Sequence, residues 1–396
     1  MLRCFAMLAL AVVLTPFAGL AQSPEALTIR TAVLTVDYKR ERPISRLDLP
    51  PRDLGIAGAK QGNLDNNSTG RFLNQTYELI EIVAQPDKAP EMLDDLIAEG
   101  VNYVVVLAEA DDLLALADRA AGKDVLLLNA QAQDNRLRND ACRANVVHVA
   151  PSRQMLADGL AQYMMWKKWD EWLLIHGSHP QDQAKAEAYR RAAKKFGADI
   201  VEERVYEDTG GARRTDSGHV LVQKQIPVFT NRVDDHHVVV AADEAGVFGV
   251  YLPYRTWEAR PVVGDAGLIA SMWHPGHEGW GATQLQRRFE RKQGRQMRDL
   301  DYTAWLALRS VGEAVTRAEK KDFASVRDYL LSADFGIAGF KGEPLSFRPW
   351  NNQMRHGVLL GDGKLVVTVS PQEEYLHQRT RLDTLGFDQP ESTCTF

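Results

Sequence analysis

Residues 101–130, VNYVVVLAEADDLLALADRAAGKDVLLLNA, carry the pattern that decides the fold. Val101–Ala108 is an apolar run of strand length, Asp111–Ala121 has the spacing of a helix, and Val125–Ala130 is a second apolar run. Apolar strands separated by a helix are typical of parallel sheets that are buried on both faces. This stretch therefore predicts an α/β fold.

The same alternation continues on both sides of the stretch. Upstream, Thr28–Val36 and Thr76–Ala84 are strand-like and Pro90–Glu99 has helical spacing. Downstream, strand-like runs occur at Val146–Ala150, Trp172–Gly177, Ile200–Tyr206, His237–Ala242 and Pro261–Gly264. The strand-like runs are more numerous than the strands of an ordinary single sheet. The sequence therefore predicts two α/β lobes, each a mainly parallel sheet flanked by helices. No polar linker separates the halves, so we expect the chain to cross between the lobes more than once and to form a hinge and a cleft.

Composition and charge restrict the possible partners. The 396 residues include 47 Lys and Arg against 53 Asp and Glu, a formal net charge of −6. Because no basic excess is available to neutralise phosphates, we expect no nucleic-acid partner. Residues 1–21 have the pattern of a cleaved signal peptide, in which Arg3 precedes a short apolar run. No second apolar stretch is long enough to span a bilayer, so we expect an exported chain that does not itself span a membrane.

Two cysteines remain after the signal peptide has been removed. Cys4 lies in the signal, whereas Cys142 and Cys394 stay in the exported chain. In an oxidising compartment we expect these two to form a disulfide that ties the C-terminal tail to the first lobe. The alternative is a pair of unpaired thiols.

Catalytic and cofactor signatures are missing. The sequence contains no GxSxG, P-loop, GxGxxG or CxxC motif, so we expect neither enzymatic activity nor a bound cofactor. The best metal-like cluster is His274, His277 and Glu278, but Pro275 and Gly276 make it a turn and no distant third ligand accompanies it. We therefore predict no metal site.

Several long stretches carry a resemblance to a known group of proteins. They are LGIAGAKQGNLDNNSTGRF (Leu54–Phe72), CRANVVHVAPSRQMLADGLAQY (Cys142–Tyr163), EDTGGARRTDSGHV (Glu207–Val220), QIPVFT (Gln225–Thr230), DYTAWLALRSVGEAV (Asp301–Val315), FGIAGFKGEPLSFRPWNNQMR (Phe335–Arg355) and VSPQEEYLHQRTRLDTLGFDQPESTC (Val369–Cys394). The chain resembles the type I periplasmic solute-binding proteins of ABC transporters, the group that includes branched-chain amino acid receptors. Within that group it looks closest to the subgroup associated with PQQ-dependent alcohol dehydrogenase systems.

The resemblance implies a two-lobed fold with three hinge crossings, near Ala150–Pro151, Trp273–Pro275 and Phe340–Gly342. The first lobe would then contain residues 24–150 and 275–340, and the second would contain 151–273 and 342–396. It also implies a periplasmic location, a small-molecule ligand and an inner-membrane ABC permease as partner. We expect a monomer.

Polar residues that follow predicted strands are the candidate ligand-binding residues, because ligands of open parallel sheets lie beyond the carboxyl ends of the strands. They are Glu109, Gln131 and Gln133 in the first lobe, Asp243 and Glu244 in the second, and Trp273 at a crossing. The alternatives are a helix cap for Asp243 and hinge packing for Trp273. We also expect a first helix that ends before residue 65, so that residues 65–67 follow it and either line or flank the cleft. The corresponding loops of amino acid receptors carry Ser or Thr hydroxyls, which are missing here, so the sequence does not favour an amino acid ligand.

Two functions remain open at this point. The first is a solute receptor that delivers a small molecule linked to alcohol oxidation to an ABC permease. The second is a non-transport sensor or accessory protein of the quinoprotein dehydrogenase system, with a degenerate cleft. A cleft occupied by the protein's own side chains would favour the second.

Overall fold

The computed structural model describes residues 27–39, 42–209 and 218–396. The predicted signal peptide lies outside the described residues. Two sheets of parallel-dominated topology organise the chain, which is an α/β protein of two lobes. Among the described residues, no helix combines the length and the apolarity needed to cross a bilayer.

The first sheet has five strands, all parallel. They are β1 (Leu27–Val36), β2 (Gln75–Ala84), β3 (Tyr103–Leu107), β4 (Leu126–Asn129) and β5 (Val146–His148). Their spatial order is β2-β1-β3-β4-β5. The strands of the opening stretch, β3 and β4, are fully buried because helices cover both faces of the sheet.

Within the described residues, six helices cover this sheet. They are α1 (Ile56–Gly70), α2 (Ala89–Ala98), α3 (Ala110–Arg119), α8 (Ala282–Gln293), α9 (Asp299–Arg317) and α10 (Phe323–Leu330). Alternate residues of β1 separate the two faces: Val33 packs in the cluster that contains α1 and α9, and Leu34 packs in the cluster that contains α2 and α3. The first lobe therefore takes helices from two distant parts of the chain.

The second sheet has seven strands and is mixed. They are β6 (Glu171–Gly177), β7 (Asp199–Tyr206), β8 (Val238–Ala242), β9 (Val262–Gly264), β10 (Leu268–Ser271), β13 (Val358–Gly361) and β14 (Val366–Ser370). Their order is β14-β13-β10-β9-β8-β6-β7, and the β13–β14 hairpin pairs antiparallel to β10. Helices α4 (Arg153–Trp166) and α5 (Pro180–Phe196) cover one face, and α6 (Gly218–Phe229) and α7 (Leu252–Arg255) cover the other.

The chain leaves the first sheet after β5, returns to the first lobe after β10 and reaches the second sheet again before β13. On the return, the backbone N–H groups of Met272 and Trp273 donate to the carboxylate of Asp299 at the start of α9, at 3.1 and 2.8 Å. Before β13, a short hairpin is formed by β11 (Ile337–Ala338) and β12 (Pro344–Leu345). The predicted lobe boundaries stay a proposal. We propose one revision to them. Gln353 still forms a β-bridge with His148, the last residue of β5, so the chain is still in the first lobe there. The last crossing therefore lies at residues 355–357 rather than at Phe340–Gly342.

Helices α1 and α9 run side by side at very short range. Gly58 lies against the backbone of Asp301, where a Cβ atom would come within 1.9 Å of the carbonyl oxygen. Gly62 lies in the same way against Trp305, where a Cβ atom would come within 2.9 Å of the carbonyl oxygen. The contacts advance in the same direction along both helices, so the two helices are parallel and both point their C-terminal ends away from the crossings.

The C-terminal tail joins the two lobes. Arg191 on α5 forms an ion pair with Glu391 of the tail at 2.7 Å. Three residues later, Cys394 forms a disulfide with Cys142 in the loop between β4 and β5, with a Cα–Cα distance of 5.7 Å. The predicted disulfide is thus present, and it links a tail that lies on the second lobe to the first lobe.

Candidate functional site

The predicted polar loops meet where the two sheets present the carboxyl ends of their strands. Gln131 and Gln133 follow β4, and Asp243 and Glu244 follow β8. The backbone N–H of Arg153, the first residue of α4, donates to the carbonyl of Gln133 at 2.9 Å. The loop after β4 is therefore in direct contact with the start of α4 at this edge.

Arg153 bridges the two lobes with its side chain as well. Its guanidinium donates to both carboxylate oxygens of Glu244, at 2.7 and 2.6 Å. It also donates to Asp134 in the loop after β4, at 2.7 Å. Burial alone lowers the pKa of Arg153, but Glu244 and Asp134 outweigh that effect and raise it above its usual range. The guanidinium stays charged and holds one acid from each lobe.

Arg153 was not among the residues predicted from the sequence, although a signal for it existed. It occupies the first turn of α4, directly after the cap Ser152, whose hydroxyl accepts from the N–H of Met155 at 3.2 Å. A cation at a helix N-terminus is unfavourable against the helix dipole. A buried arginine in that position therefore indicates nearby acidic partners.

Asp243 binds the backbone of its own loop. Its carboxylate accepts hydrogen bonds from the backbone N–H groups of Val247, Phe248 and Gly249, at 2.7, 2.8 and 2.6 Å. Burial raises the pKa of Asp243 to about 6, and the three backbone donors offset part of that effect. The carboxylate holds the loop after β8 in shape, and a role of Asp243 in ligand binding stays a prediction.

Trp273 is packed inside the hinge. Its side chain is only 3% exposed, its indole N–H donates to Gln286 at 2.8 Å, and its ring stacks on Tyr302 with centroids 5.0 Å apart. The indole is thus enclosed by neighbouring side chains, and a role of Trp273 in ligand binding stays a prediction.

The remaining first-lobe candidates present free polar groups. The side-chain amides of Gln131 and Gln133 are half-buried, and neither forms a hydrogen bond within the described part of the chain. Glu109 precedes α3 with an exposed side chain, and its backbone N–H donates to the hydroxyl of Tyr38 at 2.9 Å. These three side chains are available for hydrogen bonds to a solute.

Asp265 completes the polar edge of the second lobe. Its carboxylate forms an ion pair with Lys185 on α5 and accepts from the backbone N–H of Asp243 at 2.7 Å. The negative charge of Asp265 is thus compensated from within the lobe. A ligand at this edge meets a neutralised surface rather than a free acid.

One family model matches most of the chain: the periplasmic binding protein model covers residues 65–364. The chain belongs to the periplasmic binding protein family. A comparison with curated protein sequences gave no match.

The binding protein is also similar in fold to solved structures. A branched-chain amino acid ABC transporter periplasmic ligand-binding protein from Burkholderia xenovorans LB400 has a TM-score of 0.72 at 14% identity, covering 93% of this chain and 99% of that one. A leucine-, isoleucine-, valine-, threonine- and alanine-binding protein from Brucella ovis has a TM-score of 0.66 at 15% identity, covering 93% and 97%. A solute-binding protein of an ABC transporter from Rhodopseudomonas palustris BisB5, in complex with 3,4-dihydroxybenzoic acid, has a TM-score of 0.59 at 13% identity, covering 87% and 96%. Together with the family match, they confirm the predicted type I two-lobed fold.

Residues 65–67 of the binding protein lie elsewhere than expected. They fall inside α1, not after it. Asn66 donates to the carbonyl of Leu308 at 2.8 Å, and Asn67 exchanges two hydrogen bonds with the backbone of Tyr77. These two side chains fix α1 to α9 and β2, and the expectation that residues 65–67 follow the first helix was wrong.

The two histidines of the metal-like turn are held by backbone carbonyls. His274 Nε2 lies 2.9 Å from the carbonyl of Asp362, and His277 Nε2 lies 2.8 Å from the carbonyl of Phe340. Within residues 27–39, 42–209 and 218–396, no group of three potential ligands is placed to hold a metal ion.

Proposed function

We propose that this protein is the periplasmic solute-binding component of an ABC transporter and captures a small molecule between its lobes. The observation that carries the proposal is that Arg153 joins the loops after β4 and β8, by donating to Asp134 in the first and to Glu244 in the second. Family membership supports it, since the similar solved structures are substrate-binding proteins of ABC transporters. A ligand that contacts both loops would stabilise the closed arrangement, and the closed arrangement is what a permease would recognise.

The chemistry of the site limits the ligand. Gln131 and Gln133 supply amide donors and acceptors, and Glu109 supplies an exposed carboxylate. The acids of the second lobe are already paired, Glu244 with Arg153 and Asp265 with Lys185. Such a set suits a ligand with hydroxyl groups better than a free amino acid, whose carboxylate would find no free cation among these residues.

The resemblance to the PQQ-associated subgroup supports a more specific proposal. The ligand is linked to PQQ-dependent alcohol oxidation: an alcohol, its acid product or the quinone itself. The protein acts in the periplasm as a monomer, is not an enzyme and delivers its ligand to an inner-membrane ABC permease. The family name supports the location.

A thermal-shift screen tests the proposal. The mature protein is heated with separate panels of alcohols, carboxylic acids, amino acids and the quinone, and we expect a hit in a panel other than amino acids. A ligand at 100-fold over its dissociation constant adds about 2.7 kcal/mol of stability. Gln131→Ala is expected to lose the shift, and Gln293→Ala on α8 is the matched control that keeps it. No shift with any panel would contradict the proposal.

A second function is favoured by the same arginine. The guanidinium of Arg153 lies between Asp134 and Glu244, where a bound solute would otherwise contact both loops. A protein that closes on its own side chain needs no ligand and could serve as a sensor or as an accessory protein that stabilises a quinoprotein dehydrogenase. Pull-down of such a dehydrogenase from periplasmic extract, with no hit in the thermal-shift screen, would favour this second function.

A further inference from the structure

A cavity lies on the first lobe, away from the contact between the lobes. It has a volume of about 510 Å³ and is walled by α1, α8, α9 and the β11 hairpin. Its α9 wall is one stripe of residues spaced by four: Trp305, Arg309, Glu313 and Arg317. Glu313 is 14 residues, or about 20 Å, along α9 from Asp299, the residue that holds the second crossing. The cavity is therefore separate from the proposed solute site.

The charges of this cavity do not cancel. Asp65 accepts from Arg288 at 3.1 Å and from the indole of Trp305 at 2.9 Å. Glu313 forms ion pairs with both Arg309 and Arg317. Three guanidinium groups thus share two carboxylates, so the described residues that line the cavity carry one surplus positive charge.

Two arginines of the cavity also have hydrogen-bond donors that find no acceptor within the described residues. The Nε of Arg288 is buried and has no hydrogen-bond partner within the described residues. Arg317 uses only its Nε toward Glu313, so the outer edge of its guanidinium is unpaired in the same part of the chain. Of these two groups, the edge of Arg317 is the one that is accessible, since its side chain is 60% exposed, and it can donate to an anion in the cavity.

Part of the cavity lining is apolar. Trp305 is 2% exposed and Ile337 is 6% exposed, so both form the floor, and the half-buried ring of Phe340 closes one side. The cavity therefore combines charged groups with an apolar floor, and its volume is in the range of small-molecule sites.

We propose that this cavity binds an organic monocarboxylate with an aromatic or aliphatic body. The guanidinium group of Arg317, whose outer edge is unpaired within the described residues, holds the carboxylate, since a planar fork of N–H groups matches its two oxygens. Ile337 and Phe340, on the β11 hairpin, contact the apolar body. One surplus positive charge matches a single carboxylate and would leave a phosphate dianion partly uncompensated. This site is independent of the proposed solute site.

Fluorine NMR of 4-fluorobenzoate with the mature protein tests this site. We expect saturable binding of 4-fluorobenzoate and none of the neutral isostere 4-fluorobenzamide. Arg317→Glu reverses the surplus charge at a residue that is 60% exposed, so the fold should persist and the dissociation constant should rise at least about tenfold. Ala338→Trp fills the cavity from an exposed backbone position and should abolish binding.

Two controls separate this site from the rest of the protein. Arg291→Glu makes the same charge change at an exposed position of α8 outside the cavity and should leave binding unchanged. Binding that is lost in Gln131→Ala but kept in Arg317→Glu and Ala338→Trp would place the carboxylate at the contact between the lobes, which overturns this inference and supports the proposed function. Absence of saturable binding, or equal binding of the amide, also overturns it.

Discussion

Replacing Arg153 with methionine should open the contact between the lobes and weaken the fold. The substitution keeps much of the buried apolar stem and removes the guanidinium, which leaves Asp134 and Glu244 without their shared cation. Removing one partner of a buried ion pair costs about 3–5 kcal/mol. Arg153 is 9% exposed, but each acid is 31% exposed, so water screens part of the effect and we expect a loss of about 2 kcal/mol.

Urea unfolding and small-angle X-ray scattering measure the two consequences. We expect Arg153→Met to unfold at lower urea and to have a larger radius of gyration than the parent protein. Arg190→Met is the matched control, because Arg190 pairs with Glu203 inside the second lobe and is 36% exposed. It should cost less than about 1 kcal/mol and leave the radius unchanged. Equal behaviour of the two variants would refute the idea that Arg153 holds the lobes together.

Three further changes test other parts of the structure. The double variant Cys142→Ser and Cys394→Ser opens a cross-link over 252 residues, for which chain entropy gives about 5 kcal/mol and typical measurements give about 2–4 kcal/mol; urea unfolding measures the loss. Gly58→Ala forces a Cβ against the backbone of α9 and should cost about 1–3 kcal/mol in the same assay. Burial lowers the pKa of Lys341 to about 7. Above that pH the unfolded chain binds one more proton than the folded chain, so the free energy of unfolding should rise from about pH 7 to 10. The variant Lys341→Met should not show this rise.

Each of these changes has its own control. If the reduced parent protein is as stable as the oxidised parent protein, the expected contribution of the disulfide to stability is contradicted. Gly363→Ala places a methyl group in open space, and an equal loss in this variant would contradict the close packing of α1 on α9. A parent pH profile that is flat or falls over the stated range would contradict the buried lysine.

The strands could be predicted from the sequence because runs of consecutive apolar residues indicate that they are buried. The run from Tyr103 to Leu107 is buried at every position, and such a run has no other stable place than a covered parallel strand. The cap at Ser152 and the turn at Asp362, whose carboxylate accepts from the N–H groups of Lys364 and Leu365 at 2.7 and 2.9 Å, are equally local. Features of this kind need only a few neighbouring residues.

The C-terminal half of α1 could not be predicted in this way. The sequence GNLDNNSTG, residues 62–70, is rich in residues of low helix propensity and is typical of a polar turn. It is helical because Gly62 allows α9 to approach and because Asn66 and Asn67 bond to distant backbone groups. Tertiary packing outweighs local preference here.

The candidate site was predicted only in outline, since the role of a polar residue after a strand depends on distant partners. The sequence places Asp243 and Glu244 side by side after the same strand. In the structure, Asp243 turns inward to three backbone donors, whereas Glu244 turns across to Arg153. Nothing in the neighbouring residues distinguishes these two outcomes.

Isothermal titration calorimetry of the strongest hit from the thermal-shift screen tests the central claim most directly. The titration is made with the parent protein and with the variant Gln131→Ala. The variant removes a side-chain amide that lies in the loop after β4 and is unpaired within the described residues. Our account predicts saturable heat with one ligand per chain and at least about tenfold weaker binding, or about 1.4 kcal/mol, in the variant. Equal affinity in both proteins, or no saturable heat, would contradict the claim that the lobes capture a solute between them.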